Sequence, residues 1–505
     1  MKSRINNVNL TLLTLFTSFG LSFSQPAFKW PETSVSNIFQ EFISAYNSGK
    51  EESLEKFVSN NYRRTEKDYV NSKVDFWMDL YYRYGKISPF YISINEPSDL
   101  EIWVQGNISK AWFAPELILD ESTGKIRAVG ILQGELPPNL DIHSKDEKIM
   151  LTLFEEYLET NEKNKLFQGT VLLKKGENTL LNKAYGYKNI DSKIRNNEDT
   201  RMRISSITKT FTAVACLQLA QKGFIDLNMP ISTYLEGLPQ HISNKLTVAK
   251  LLSHTSGYEL DNIQGFREEL EKTGSIQEVY QLQQKYLPKW EFYENFDPKN
   301  NYNYSNDSYD LLAILIEEIA EMKYEDYIKK YIFDIAGMTM TSFDPEDVAS
   351  NYRYDLSVRG LKDFTSYYPY TMGKISGAGS LISTTNDLNL FFTTLLNTNR
   401  LLDLPHIALL LGPKTNISPA SNVGEIVPRE LSNANVNSKI YNSYGYGMVI
   451  SYDEALNIGH GGANIGNSAE LRYFPDFNYL LIVLCNNRSG ASNAYNFFKS
   501  ILPLE

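Results

Sequence analysis

A serine followed three residues later by a lysine can support acyl transfer. At i and i+3 of a helix the two side chains share a face with Cβ atoms about 5–6 Å apart, so an amine can reach the hydroxyl and take its proton. The spacing occurs three times here, at Ser53/Lys56, Ser122/Lys125 and Ser206/Lys209. Ser53 lies in a Glu-rich amphipathic stretch and Ser122 in a Ser-Thr-Gly turn, where a lysine is a solvated charge. Ser206 differs, because Ile207-Thr-Lys-Thr-Phe-Thr-Ala-Val-Ala-Cys-Leu-Gln-Leu-Ala220 reads as a helix apolar on nearly every face, with Lys209 its only cation. Burial of a lone amine lowers its pKa towards that of a usable base. The helix N-terminus also offers free N–H groups to a developing oxyanion. The alternative for Ser206 is a helix cap with no chemistry. No GxSxG elbow is present to anchor a different serine mechanism.

Further segments fall in an order that gives the pair company. They are Leu251-Leu-Ser-His-Thr-Ser-Gly257, Tyr304-Ser-Asn306 running into the apolar helix of Leu311, Leu312, Leu315, Ile316 and Ile319, Gly377-Ala-Gly-Ser-Leu-Ile-Ser-Thr-Thr-Asn-Asp387, and Gly459-His-Gly-Gly462 at the end of a strand from Leu456. With Arg203-Ile-Ser-Ser-Ile-Thr-Lys-Thr-Phe, these five blocks resemble the serine β-lactamase and penicillin-binding-protein superfamily, in particular its class C-like esterases and D-amino-acid peptidases. The resemblance covers roughly Asp141 to Leu504. It implies an antiparallel sheet flanked by helices plus an all-helical subdomain, an α+β or α/β fold. By the same resemblance the catalytic residues are Ser206, Lys209 and Tyr304, and Asn306, His460, Gly461, Gly462 and Ala463 bind or orient substrate, the Ala463 amide being the second oxyanion donor beside that of Ser206.

Decoys are separable by position. Tyr-x-Asn recurs at Tyr69, Tyr187 and Tyr293, but only Tyr304-x-Asn306 leads directly into an apolar helix. A literal Lys272-Thr-Gly274 precedes the Tyr304 block, whereas the family's strand motif follows it, so Gly274 reads as the C-cap of a Phe266–Lys272 helix. Tyr304 has a packing role as its plain alternative, and His254 reads as structural. His460 and Gly461 stand where the family carries a Lys and a Thr that hold a carboxylate, so poor β-lactam turnover and a preference for esters or short peptides are expected. Whether Lys209 or Tyr304 is the base stays open at this level, as does the alternative of a penicillin-binding sensor that acylates without turnover, or a true β-lactamase.

The chain has 505 residues, more than one compact core accommodates. Residues 1–24, with Lys2 and Arg4, an apolar Thr-rich stretch and Ser22-Phe-Ser24, read as a signal peptide of an exported, periplasmic or secreted protein. The stretch is too short and too polar for a spanning helix. Residues 25–140 form an α+β unit. Its helices are marked by Ile38, Phe39, Phe42, Ile43 and Tyr46 and by Val70, Val74, Trp77, Tyr81 and Tyr84, and strands follow at Phe90–Ile94, Glu101–Val104, Ala111–Leu119 and Ile126–Leu132. Phe42-Ile-Ser-Ala-Tyr-Asn-Ser-Gly49 ahead of a sheet resembles nuclear-transport-factor-2-like domains and implies an accessory role. Ser144-x-x-Glu147 reads as a capping box opening the hydrolase part at 141–505.

Net charge is −11, and −13 once the first 24 residues and their two cations are removed, which argues against nucleic acid and anionic membranes as partners. The partner expected is a small molecule or short peptide, with oligomeric state undetermined. Cys216 and Cys485 sit in apolar runs and read as buried free thiols, and the five histidines lack ligand spacing, so no metal or cofactor is expected.

Overall fold

The computed structural model describes residues 28–108, 112–133, 137, 146–290, 302–355, 357–358, 360–367, 375–417, 441–452 and 455–503. The leader at 1–24, the boundary at 140/141, Ser144 and the Tyr293 decoy lie outside the described residues. Two compact units emerge: Met1–Leu166 with Tyr354–Gly360 and Asn496–Glu505, and Phe167–Arg353 with Leu361–Tyr495.

The first unit begins with three helices, α1 (Ser34–Asn47), α2 (Glu51–Asn61) and α3 (Lys67–Tyr84). Thr33 caps α1 by accepting from the Ser36 amide. An antiparallel meander follows in the order β1 (Ile87–Glu96), β2 (Asp99–Gly106), β3 (Trp112–Leu119), β4 (Ile126–Gln133). Leu100, Ile102 and Val104 alternate along β2 and join Phe39, Phe42, Tyr46 and Trp77 in one apolar core. Asn47 ties the end of α1 to the sheet, its amide group bonding both the N–H and C=O of Ile87 at 2.8 Å. The turn between β3 and β4 is organised by Asp120, which accepts from Ser122 and Thr123. Helix α4 (Glu147–Lys163) belongs here too, with Tyr157 stacked on Phe497 at 4.1 Å. Asp146, and not Ser144, caps α4: its carboxylate accepts from the Lys148 amide.

The second unit is built on an eight-stranded antiparallel sheet. Its strands are β5 (Gly169–Lys175), β6 (Asn178–Tyr185), β7 (Thr415–Asn416), β8 (Tyr441–Tyr444), β9 (Val449–Tyr452), β10 (Leu456–Asn464), β11 (Asn467–Phe474) and β12 (Tyr479–Cys485). The spatial order is β7-β8-β9-β10-β11-β12-β5-β6, so the earliest hairpin completes an edge begun by the last strands. The helices that matter for the site are α5 (Thr208–Gln221), α6 (Asn306–Ala320) and α7 (Thr385–Asn397). Every residue of α5 from Thr208 to Leu219 is buried, as expected for a helix without a polar face. Thr384 caps α7 by accepting from the Asp387 amide. Cys216 and Cys485 are both buried thiols. Gly274 is not the C-cap of the preceding helix, which is Phe266–Leu270 with Glu271 at its end; Gly274 instead leads into Ser275, the N-cap of the helix Ile276–Tyr286.

Candidate active site

Ser206 is the middle residue of a single 3-10 turn, Ser205–Ile207, which runs straight into α5. Its hydroxyl caps nothing: α5 begins without a side-chain cap. Ser205 takes a left-handed backbone at φ +46°, a conformation that costs a serine on the order of 1–3 kcal/mol unless its surroundings hold it. Asn467, at the start of β11, does the holding. Its amide group donates to the Arg203 carbonyl at 2.9 Å and to Ser205 Oγ at 3.0 Å. Asn467→Ala is therefore expected to destabilise the protein by about 1–3 kcal/mol and to lower kcat by about tenfold, read as a drop in Tm alongside steady-state kinetics.

Lys209 lies one turn along, fully buried. Its Nζ sits 3.3 Å from Ser206 Oγ, 2.8 Å from Asn306 Oδ1 and 2.8 Å from the Ala378 carbonyl. A neutral amine has two N–H groups and one lone pair. Asn306 Oδ1 and Ala378 O can only accept, so they take the two N–H groups and leave the lone pair facing Ser206. Burial brings the ammonium pKa down to about 7, against the opposing pull of Asp310.

Tyr304 completes the cluster. Its hydroxyl neighbours that of Ser206, and its ring lies 4.7 Å from Lys209 Nζ. Burial pushes the phenol pKa well up, with the Ser206 hydroxyl opposing, so Tyr304 keeps its proton across the working range. Ser305 caps α6 by accepting from the Ser308 amide, which sets Asn306 as the first helical residue, at the height of Lys209. Below Tyr304 is His254, buried, its ring 4.3 Å from the phenol and its Nδ1 accepting from the Ser305 amide. Burial first, then the Lys209 charge, keeps this imidazole neutral, as a structural histidine requires.

Strand β10 forms the facing wall. Gly462 sits against the nucleophile turn: a Cβ there would come within 2.2 Å of the Ile204 carbonyl and 3.0 Å of the Ser206 nitrogen. Only glycine permits that approach, which lays strand β10 against the Ser206 turn. Gly461 faces the other way, where a Cβ would lie 3.0 Å from the Glu470 carboxylate. His460 is buried, 6.4 Å from Tyr304 between ring centroids, with Nε2 bonded to the Tyr444 hydroxyl at 2.9 Å and Nδ1 donating to the Gly461 carbonyl. Burial, reinforced by Lys209, takes its pKa down to about 3, so it offers no cation.

Four residues expected to act together, Ser206, Lys209, Tyr304 and Asn306, thus converge, with Gly462 at the nucleophile and His460 beside them, while Gly461 turns towards Glu470. Ser53 and Lys56, and Ser122 and Lys125, belong to the first unit, where Ser122 bonds Asp120 and Lys125 the Asn60 carbonyl. Sequence reasoning missed the Ala378 carbonyl, Asn467 and Tyr444. The first is a main-chain group, which no residue type announces, and Tyr444 is one of 33 tyrosines.

The fold and this cluster define a serine hydrolase of the β-lactamase and penicillin-binding-protein fold. The family model described as Beta-lactamase matches residues 158–499, and the chain belongs to that family. It is 28% identical over 357 residues to penicillin-binding protein 4* of Bacillus subtilis, covering 67% of this chain and 71% of that one. Among solved structures it is similar to a penicillin-binding protein from Bacillus halodurans, with 22% identity, a TM-score of 0.55, and 68% of this chain and 98% of that one covered. It is similar also to the D-amino acid amidase from Ochrobactrum anthropi SV3, with 21% identity, a TM-score of 0.56, and 70% and 98% covered. Among the described residues no helix is long and apolar enough to cross a membrane.

Proposed function

We propose that the protein is exported by its 1–24 leader and hydrolyses an ester or amide, a short peptide, D-amino-acid derivative or simple ester, through an acyl-enzyme on Ser206. The observation that carries this is the lone-pair geometry of Lys209: two N–H groups held by fixed acceptors and the third position aimed at a serine hydroxyl. Lys209 takes the Ser206 proton as Oγ attacks the carbonyl, and the amides of Ser206 and Ala463 receive the oxyanion. Tyr304, protonated in the free enzyme, delivers that proton to the leaving group and is reprotonated from Lys209. Water then attacks the acyl-enzyme, its proton passing to Lys209 and from there to Ser206 Oγ as the acid leaves, which restores the serine and the free amine. Asn306 orients Lys209 and the substrate, and His460 and Gly462 line the substrate side, whereas Gly461, expected there too, faces Glu470. The first unit serves as an accessory, and no cofactor takes part.

Because the free amine is the reactive form and its pKa lies at about 7, kcat/KM should rise as pH increases through about 7 and level off above it. A profile flat from pH 6 to 8 would count against Lys209 as base.

Substrate preference follows from His460. The neutral imidazole cannot supply the charge-assisted contact by which a lysine holds a carboxylate, a loss of about 1.5–3 kcal/mol or ten- to a hundredfold. A short-chain nitrophenyl ester should therefore be turned over at least about tenfold faster than nitrocefin. Faster nitrocefin hydrolysis would identify a true β-lactamase, and a stoichiometric burst without steady-state turnover would identify a penicillin-binding sensor.

A further inference from the structure

Asp310 is a buried carboxylate that the proposed mechanism does not use, and it lies four residues along α6 from Asn306, on the same helical face. Its Oδ1 accepts from the Ser376 hydroxyl at 2.6 Å. Ser376 Oγ in turn accepts from the Ala378 amide at 3.0 Å, so Asp310, Ser376 and Ala378 form a continuous chain of hydrogen bonds. The loop is pinned on either side of it. Gly377 is pressed on α6 so closely that a Cβ would lie 2.3 Å from the Tyr309 carbonyl, and its own carbonyl accepts from Thr212 of α5 at 2.7 Å. Ser376 and Ser380 bond each other twice, amide to hydroxyl at 2.8 Å and hydroxyl to carbonyl at 2.9 Å. What emerges from this clamp towards the nucleophile is the Ala378 carbonyl, one of the two acceptors that hold Lys209.

We propose that Asp310 is a positioning residue for Lys209: through Ser376 and the Ala378 amide it fixes the carbonyl that orients the amine, and its negative charge acts on that amine. This rests on the reading of Lys209 as the base. The groups facing Lys209 are Ser206 on its own side of the site, Asn306, Asp310 and the rings of Tyr304 and Tyr309 from α6 and the residues before it, the Ala378 carbonyl from the loop, and the neutral His254 and His460. Of these Asp310 is the one that favours the ammonium. Asp310 in turn is faced by Ser376, the Ala378 amide, Lys209 and the carboxyl groups of Asp261 and Asp307, the last pushed towards its neutral form by burial. Burial raises its pKa to about 6, so it is charged where Lys209 titrates.

Asp310→Asn keeps an acceptor for Ser376 and removes the charge. The acid limb of kcat/KM against pH, measured with a nitrophenyl ester, should move down by about one unit. Ser376→Ala leaves the charge and breaks the chain of hydrogen bonds, and should lower kcat about tenfold at unchanged KM, with the limb near its wild-type position. A residue that merely supports packing would move neither the limb in the first variant nor kcat alone in the second. An unshifted limb in Asp310→Asn overturns the proposal, as does wild-type kcat in Ser376→Ala, and the second variant decides alone if the first does not fold. Lys209→Met separates this from the reading beneath it: full activity there removes the base itself, whereas an inactive Lys209→Met beside wild-type behaviour of both variants removes only Asp310.

Discussion

Ser206→Ala should lower kcat/KM for a reactive ester by at least about 10⁴ while leaving the folded protein intact. The size follows from the mechanism, since loss of a serine nucleophile removes the covalent route and leaves only what binding and the oxyanion site supply. The expected stability is equally specific. Ser206 is half-buried, and Lys209 keeps its bonds to Asn306 and Ala378 when the hydroxyl is gone, so no polar atom of the amine is stranded. Tm should stay within a few degrees of wild type, a change on the order of 1 kcal/mol. Inactivity accompanied by a collapsed melting transition would assign Ser206 to structure and not to chemistry.

Lys209→Met should cost about 10³–10⁴ in kcat, the contribution of a positioned general base. Methionine is close to lysine in length and fits an all-apolar helix, so the comparison isolates the amine. The pH dependence is the sharper readout. In the wild type, burial makes the free amine available above about pH 7 and the ammonium dominant below, so activity falls as pH drops. The residual activity of Lys209→Met should not follow that curve, because Tyr304 keeps its proton throughout and His460, at about 3, is already neutral. A variant that retained the rise through pH 7 would show that another group titrates there.

Much of this site can be read from residue order alone, for a physical reason. A lysine cannot sit in an apolar helix unless its charge is answered, so Lys209 marks itself, and Ser206 is then one turn away. Tyr304 and Asn306 were separable from the other Tyr-x-Asn triplets because only theirs runs into an apolar helix, and that helix is α6. Short strand-like segments likewise located β2, β10, β11 and β12 within a few positions. What stayed hidden depends on long-range contact. The Ala378 carbonyl reaches Lys209 across 169 residues of chain, and Asn467 reaches Ser205 across 262. Neither leaves a local pattern. The capping of α4 failed for a different cause: Ser144 and Asp146 are both good caps two residues apart, and side-chain type does not choose between them.

The most direct test is peptide mapping by mass spectrometry after exposure to a fluorophosphonate at pH 8, where Lys209 is mostly free amine. One adduct per chain is expected, on the peptide that contains Ser206, forming more slowly as pH is lowered through 7 and absent in Ser206→Ala. An adduct on any other residue, or labelling that survives Ser206→Ala, would contradict Ser206 as the nucleophile.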